Sequence, residues 1–107
     1  MPREKFQTLT EQMFYILLCL KEECCGMDIM EKISRMTEGR VIVGPGTLYN
    51  LLEQFTDAKL IRQTKAEGRK KSYILTQQGK TLLNSEYERL CKQIDDYTKY
   101  YKGEENQ

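Results

Sequence analysis

The sequence predicts a mainly α-helical domain with a small β-hairpin and a long C-terminal helix. Three observations carry that prediction. Several stretches repeat apolar residues at helical spacing before position 60. Two short strand-like runs around Gly68 are rich in lysine and arginine. Beyond them an apolar stripe runs through some 25 residues that so small a domain cannot cover.

The elements follow in chain order. Residues 1–7 read as a flexible polar arm. "TLTEQMFYILLCLKEE" offers Thr8 or Thr10 as an N-cap, with Glu11 as a capping-box partner for Thr8. Leu9, Met13, Ile16, Leu17 and Leu20 line one face, and Phe14, Tyr15 and Leu18 carry the apolar surface further round. A helix apolar on more than one side asks for a second partner. Gly26 interrupts the pattern, and Ile29, Met30, Ile33 and Met36 then form the face of a second helix that stops near Gly39. "RVIV" is a short β-prone run.

"VIVGPGTLYN" opens the third helix. Gly44 suits the cap, and Pro45 suits the first helical position, where a missing N–H costs nothing. Leu48, Leu51, Leu52 and Phe55 form the core face at i, i+3, i+4 and i+7. Gly46, Tyr49, Asn50 and Glu53 fall on the opposite side. Residues 60–65 and 70–75 are strand candidates, with Ala66, Glu67 and Gly68 turning between them. Thr76 is an N-cap for the last helix, in which Leu83, Tyr87, Leu90, Ile94, Tyr97 and Tyr101 form a heptad-like seam. The tail 102–107 is polar.

Charge is unevenly placed. The chain of 107 residues has a net charge of only +1. Between Lys59 and Lys71, however, six basic residues face Glu67 alone. The total hides a concentrated positive patch. With no histidine, no glycine-rich phosphate loop and no clustered carboxylates, the chain is not expected to be an enzyme, and neither a cofactor nor a metal site is expected. Cys19, Cys24, Cys25 and Cys91 lack a CxxC spacing and read as free thiols. No run is long and apolar enough for a membrane span and no signal peptide is indicated, so a cytoplasmic location with no membrane partner is expected.

Helices, basic hairpin and terminal helix together make a winged helix-turn-helix over residues 8–76 with a dimerisation helix over 77–101. In that layout the third helix enters the major groove of double-stranded DNA. Gly46 allows close approach of a phosphate, Thr47 and Tyr49 can donate to phosphate oxygens, and Asn50 can read an adenine edge. Arg40, Lys65, Arg69, Lys70 and Lys71 are the expected phosphate contacts. The dimer interface is expected at Leu83, Tyr87, Leu90, Ile94, Tyr97 and Tyr101, joined by Phe14 and Leu18 of the first helix. The competing reading is a winged-helix module that docks protein and not DNA, for which the acidic third helix argues.

"GPGTLYNLLEQFTDAKLI" followed by "GRKKSYILTQQGKTLL" resembles the PadR family of bacterial transcriptional regulators, and "CGMDIMEKI" extends the likeness. The resemblance spans roughly positions 8–90 and points to the short branch with a single C-terminal helix. It implies a ligand-responsive repressor, acting as a homodimer on an inverted repeat. It also implies a small aromatic effector between subunits, for which Tyr97, Tyr101 and Phe14 are the candidates. The chain departs from the family pattern at Met27, where tyrosine is usual, and at Glu53 and Gln54, where basic residues are frequent. Lys59 stands where a glycine usually follows the third helix.

Overall fold

A computed structural model describes residues 8–103. The arm 1–7 and most of the tail 102–107 expected above lie outside the described residues. The order is α1 (Glu11–Cys19), β1 (Cys24–Cys25), α2 (Gly26–Met36), α3 (Pro45–Asp57), β2 (Ile61–Glu67), β3 (Lys70–Leu75) and α4 (Gln77–Tyr97). A π-helical segment, Thr98–Lys102, prolongs α4. The three helices α1–α3 and the sheet enclose one core, in which Ile16, Leu17, Leu20, Ile29, Ile33, Leu48, Leu52, Phe55 and Ile61 are almost fully buried. This is the winged-helix architecture that the element order implies.

Thr10, and not Thr8, caps α1, its hydroxyl accepting from the Met13 N–H at 3.2 Å. The helix ends at Cys19, earlier than "KEE" would suggest, because the chain then turns into β1. That two-residue strand pairs antiparallel with β3, Cys24 opposite Tyr73 and Cys25 opposite Ser72. The hairpin is therefore part of a three-stranded sheet of order β1-β3-β2. Strand β3 spans the expected residues, whereas β2 runs on to Glu67, so the turn is at Gly68–Arg69, with Ala66 and Glu67 still paired to Lys71 and Lys70. A bulge between Gln63 and Lys65 shifts the register, which strengthens the local twist.

The β-prone "RVIV" does not form a strand. Val41 and Val43 bury their side chains singly in the core. The buried Thr37 hydroxyl donates to the Ile33 carbonyl at 2.7 Å, and its oxygen accepts from the Val41 N–H at 3.1 Å. The backbone group that a sheet would need is thus already satisfied.

The N-terminus of α3 is as expected, with Gly44 at the cap and Pro45 in the first turn. Its C-terminus closes in a Schellman motif. The Leu60 N–H donates to the Phe55 carbonyl at 2.9 Å and the Lys59 N–H to the Thr56 carbonyl at 3.0 Å. Lys59 takes φ +65, a left-handed conformation that glycine adopts at less cost.

Thr76 caps α4 by accepting from the Gly79 N–H at 3.1 Å, and its own hydroxyl donates to the Lys59 carbonyl at 2.6 Å. A Cβ on Gly79 would collide with the Leu60 carbonyl. The first half of α4 docks through Leu82, Leu83 and the buried Glu86. From Cys91 to Lys102 every residue is exposed. The helix leaves the winged domain, consistent with an extent of 61 × 36 × 21 Å.

Candidate nucleic-acid interface

Two elements and the cleft between them build the site. The outward side of α3 exposes Gly46, Thr47, Tyr49, Asn50 and Glu53. The wing, β2 and β3 with their turn, exposes Lys65, Arg69, Lys70 and Lys71. A cavity of about 760 Å³ separates the two and is lined by Tyr49, Glu53 and Asp57 on the helix side and by Arg69, Lys71 and Tyr73 on the wing side. Met27 reaches the same cleft from the start of α2.

Among the described residues, ion pairs engage Arg35, Arg40 and Arg89. None of these pairs involves a basic residue between Lys59 and Lys71. The basic side chains of the wing are exposed, and among the described residues no ion pair holds them.

Tyr49 is half exposed, yet its ring is not free. It lies across Gly26, whose bare Cα leaves the room: a Cβ there would come within 2.6 Å of the Tyr49 hydroxyl oxygen. Tyr73 sits nearby, and burial followed by the neighbouring Tyr49 pushes its phenol up from the ordinary value. The first turn of α3 has the opposite property. A Cβ added to Gly44 or Gly46 would meet no atom within 4 Å. The helix N-terminus is open, and its free N–H groups favour an anion.

Arg40 is held within the fold while its side chain stays exposed. Its guanidinium donates to the Glu11 carboxylate and, at 3.0 Å, to the Tyr15 hydroxyl oxygen. It ties the segment before α3 back to α1 and does not join the cleft. Both partners are well exposed, so the pair contributes little to stability.

The expected dimer residues divide. Leu83 is half-buried against its own core, as Phe14 and Leu18 are half-buried on α1. Tyr87, Ile94, Tyr97 and Tyr101 are exposed, and Tyr100 joins them. Tyr97 stacks on Tyr101 with centroids 5.3 Å apart, whereas Phe14 packs edge-on against Tyr15. The cleft described above contains none of the three expected effector residues.

Glu86 escaped the sequence reading. It is 2% exposed and accepts from the Leu9 N–H at 2.8 Å and from two nitrogens of Arg89 at 2.9 and 2.7 Å. The Arg89 guanidinium, outweighing burial, holds its carboxyl below the usual carboxylate range, with help from the Leu9 N–H. The available signal was its spacing: position 86 follows Leu82 and Leu83 by four and three residues, on the face that docks.

The cysteines are free thiols, three of them buried and Cys91 exposed. Burial pushes Cys19 up to about 11 and also raises Cys24, which leaves these thiols protonated and unreactive at neutral pH. Among the described residues, no group of three or more His, Cys, Asp or Glu side chains could hold a metal ion, and no helix is long and apolar enough to cross a membrane.

The family model described as "Transcriptional regulator PadR-like family" matches residues 16–85, which run from α1 through the first half of α4. The chain belongs to the PadR-like family of transcriptional regulators. A PadR-like transcription factor from Bacteroides fragilis is 32% identical, with a TM-score of 0.64 over 81% of this chain and 85% of that one. A transcriptional regulator from Clostridium thermocellum superposes with a TM-score of 0.73 at 20% identity, covering 82% of this chain and 90% of that one. RosR of H. salinarum superposes with a TM-score of 0.69 at 22% identity, covering 84% and 79%. The last two likenesses concern the fold. None of the curated protein sequences matches this chain.

Proposed function

We propose that this PadR-like regulator binds double-stranded DNA as a homodimer and represses transcription from an inverted repeat in the cytoplasm. The observation that carries the reading is the solvent-facing basic cluster of the wing beside the outward side of α3. Helix α3 enters the major groove, with Asn50 toward base edges and Thr47 and Tyr49 toward phosphates. Lys65, Arg69, Lys70 and Lys71 neutralise flanking phosphates, and Arg40, held by Glu11, contributes little.

The exposed stripe on α4 supports the dimer. Tyr87, Ile94 and Tyr97 project beyond the domain, and an apolar surface of that length favours a partner. A two-fold axis through paired α4 helices sets two α3 helices on half-sites about one helical turn apart, near 10–10.5 bp, or a multiple of it. The Tyr97–Tyr101 stack offers a planar surface for a small aromatic effector at that seam. Ile94→Glu puts a charge into the seam, and we expect monomers in sedimentation and loss of operator affinity.

The test of DNA binding is salt dependence. Replacing Arg69, Lys70 and Lys71 together with alanine lowers affinity for every duplex. The log–log slope falls by about 0.9 per lost phosphate contact, counted in both wings of the dimer. An unchanged slope removes the wing from the mechanism. Glu53 and Asp57, with no basic residue on α3, favour the alternative of a protein-docking module. Duplex binding that stays undetectable down to low salt favours it.

A further inference from the structure

The outward side of α3 carries two acidic side chains, Glu53 and Asp57, and no basic one. Take the mean direction of the buried Leu48, Leu51, Leu52 and Phe55 as inward. At about 100° per residue, Gly46, Asn50, Glu53 and Asp57 all lie within about 30° of the outward pole. Thr47 and Tyr49 lie about 70–90° from it, on the flanks. A helix seated in a groove turns its pole to the base edges and its flanks to the two phosphate backbones.

Of the four polar positions, Gly46 has no side chain and Asp57 is the last residue of the helix. Asn50 and Glu53, three residues further along the same outward stripe, are therefore the side chains left to reach base edges. Glu53 is exposed, and among the described residues no hydrogen bond or ion pair engages its carboxylate. It takes no part in holding the fold.

A carboxylate is acceptor-only. On a duplex, phosphates repel it and a base-edge donor attracts it, and the exocyclic amine of cytosine is its usual match in the major groove. The division of labour is then consistent: the wing supplies attraction to any duplex, and Glu53 makes that attraction conditional on sequence. We propose that Glu53 is a specificity-determining residue that selects cytosine at one position of each half-site. This rests on the DNA-binding reading above.

The experiment is selection of duplexes from a random pool by the full chain and by Glu53→Gln and Glu53→Ala, followed by titration of C-to-A duplex variants. The wild-type chain prefers cytosine over adenine at one position per half-site by about 5–150-fold. Glutamine pairs with the N6 and N7 of adenine, so Glu53→Gln reverses that preference and leaves the rest of the site unchanged. Glu53→Ala loses the preference without acquiring a new one. Unchanged melting temperatures show that each variant is folded. If all three proteins select the same sequence, or the variants merely bind every duplex more tightly, Glu53 acts by repelling phosphate and the inference fails alone. If the wild-type chain enriches no duplex at any salt concentration, the DNA-binding reading fails and the inference with it.

Discussion

The Tyr49 ring of α3 rests on Gly26, the first residue of α2, and the two cannot be changed independently. A Cβ on Gly26 would lie 2.6 Å from the Tyr49 hydroxyl oxygen and 2.8 and 2.9 Å from ring carbons. A real contact cannot persist at those distances, so Gly26→Ala must displace the ring. We expect this variant to fold and to bind operator DNA more weakly. Tyr49→Phe, which keeps the ring in place, costs about 0.5–1.5 kcal/mol of binding if the hydroxyl donates to a phosphate. A double-mutant cycle of the two substitutions is expected to be non-additive by about 0.5–3 kcal/mol. Additive effects would mean that the ring moves without consequence for DNA.

Gly46→Ala separates folding from function. No atom lies within 4 Å of the Cβ it would add, and alanine is the better helix former by up to about 1 kcal/mol. The melting temperature should hold or rise. If a phosphate or a base edge approaches Gly46, operator affinity should fall by about tenfold or more at the same time, a loss of about 1.4 kcal/mol. Full affinity in the variant would show that the duplex does not come close there.

Lys59 occupies the left-handed position of the Schellman turn with φ +65. For a non-glycine residue that conformation costs about 1–2 kcal/mol, and glycine returns part of the gain through a more flexible unfolded chain. Lys59→Gly should stabilise the domain by about 0.5–1 kcal/mol. Chemical denaturation should show a higher midpoint at unchanged slope. A destabilised variant would indicate that the lysine side chain packs usefully against the end of α3.

Glu86 should make stability fall in acid. Its folded-state value lies below the ordinary one, so its contribution is fully present above the unfolded value of about 4.3 and is lost as pH falls through the folded value. Glu86→Gln should destabilise the protein near pH 7 by about 1.5–3 kcal/mol, the worth of a hydrogen bond to a charged group. The gap between variant and wild type should close below about pH 4. Urea melts at several pH values check this, and a gap that persists in acid would assign the loss to packing.

Much of the fold was legible in the residues because the signals are local. Gly44 and Pro45 announce α3, Thr76 announces α4, and helical spacing picks Leu48, Leu51, Leu52 and Phe55 as the buried side of α3. The basic wing and the projecting stripe of α4 were legible for the same reason, since charge clusters and periodicity need no knowledge of what lies opposite. The tertiary structure alone decided the rest. Cys24–Cys25 is too short to show alternation and becomes a strand only because β3 lies beside it. "RVIV" loses its β preference to Thr37, which takes the Val41 N–H, and to a core that buries both of its valines. Arg40 pairs with Glu11, 29 residues away. Tyr49 found Gly26, and Glu86 found the Leu9 N–H. Each of these outcomes depends on a group outside the local run of sequence, and a preference written in neighbouring residues yields when a non-local partner satisfies a backbone group or a charge more completely.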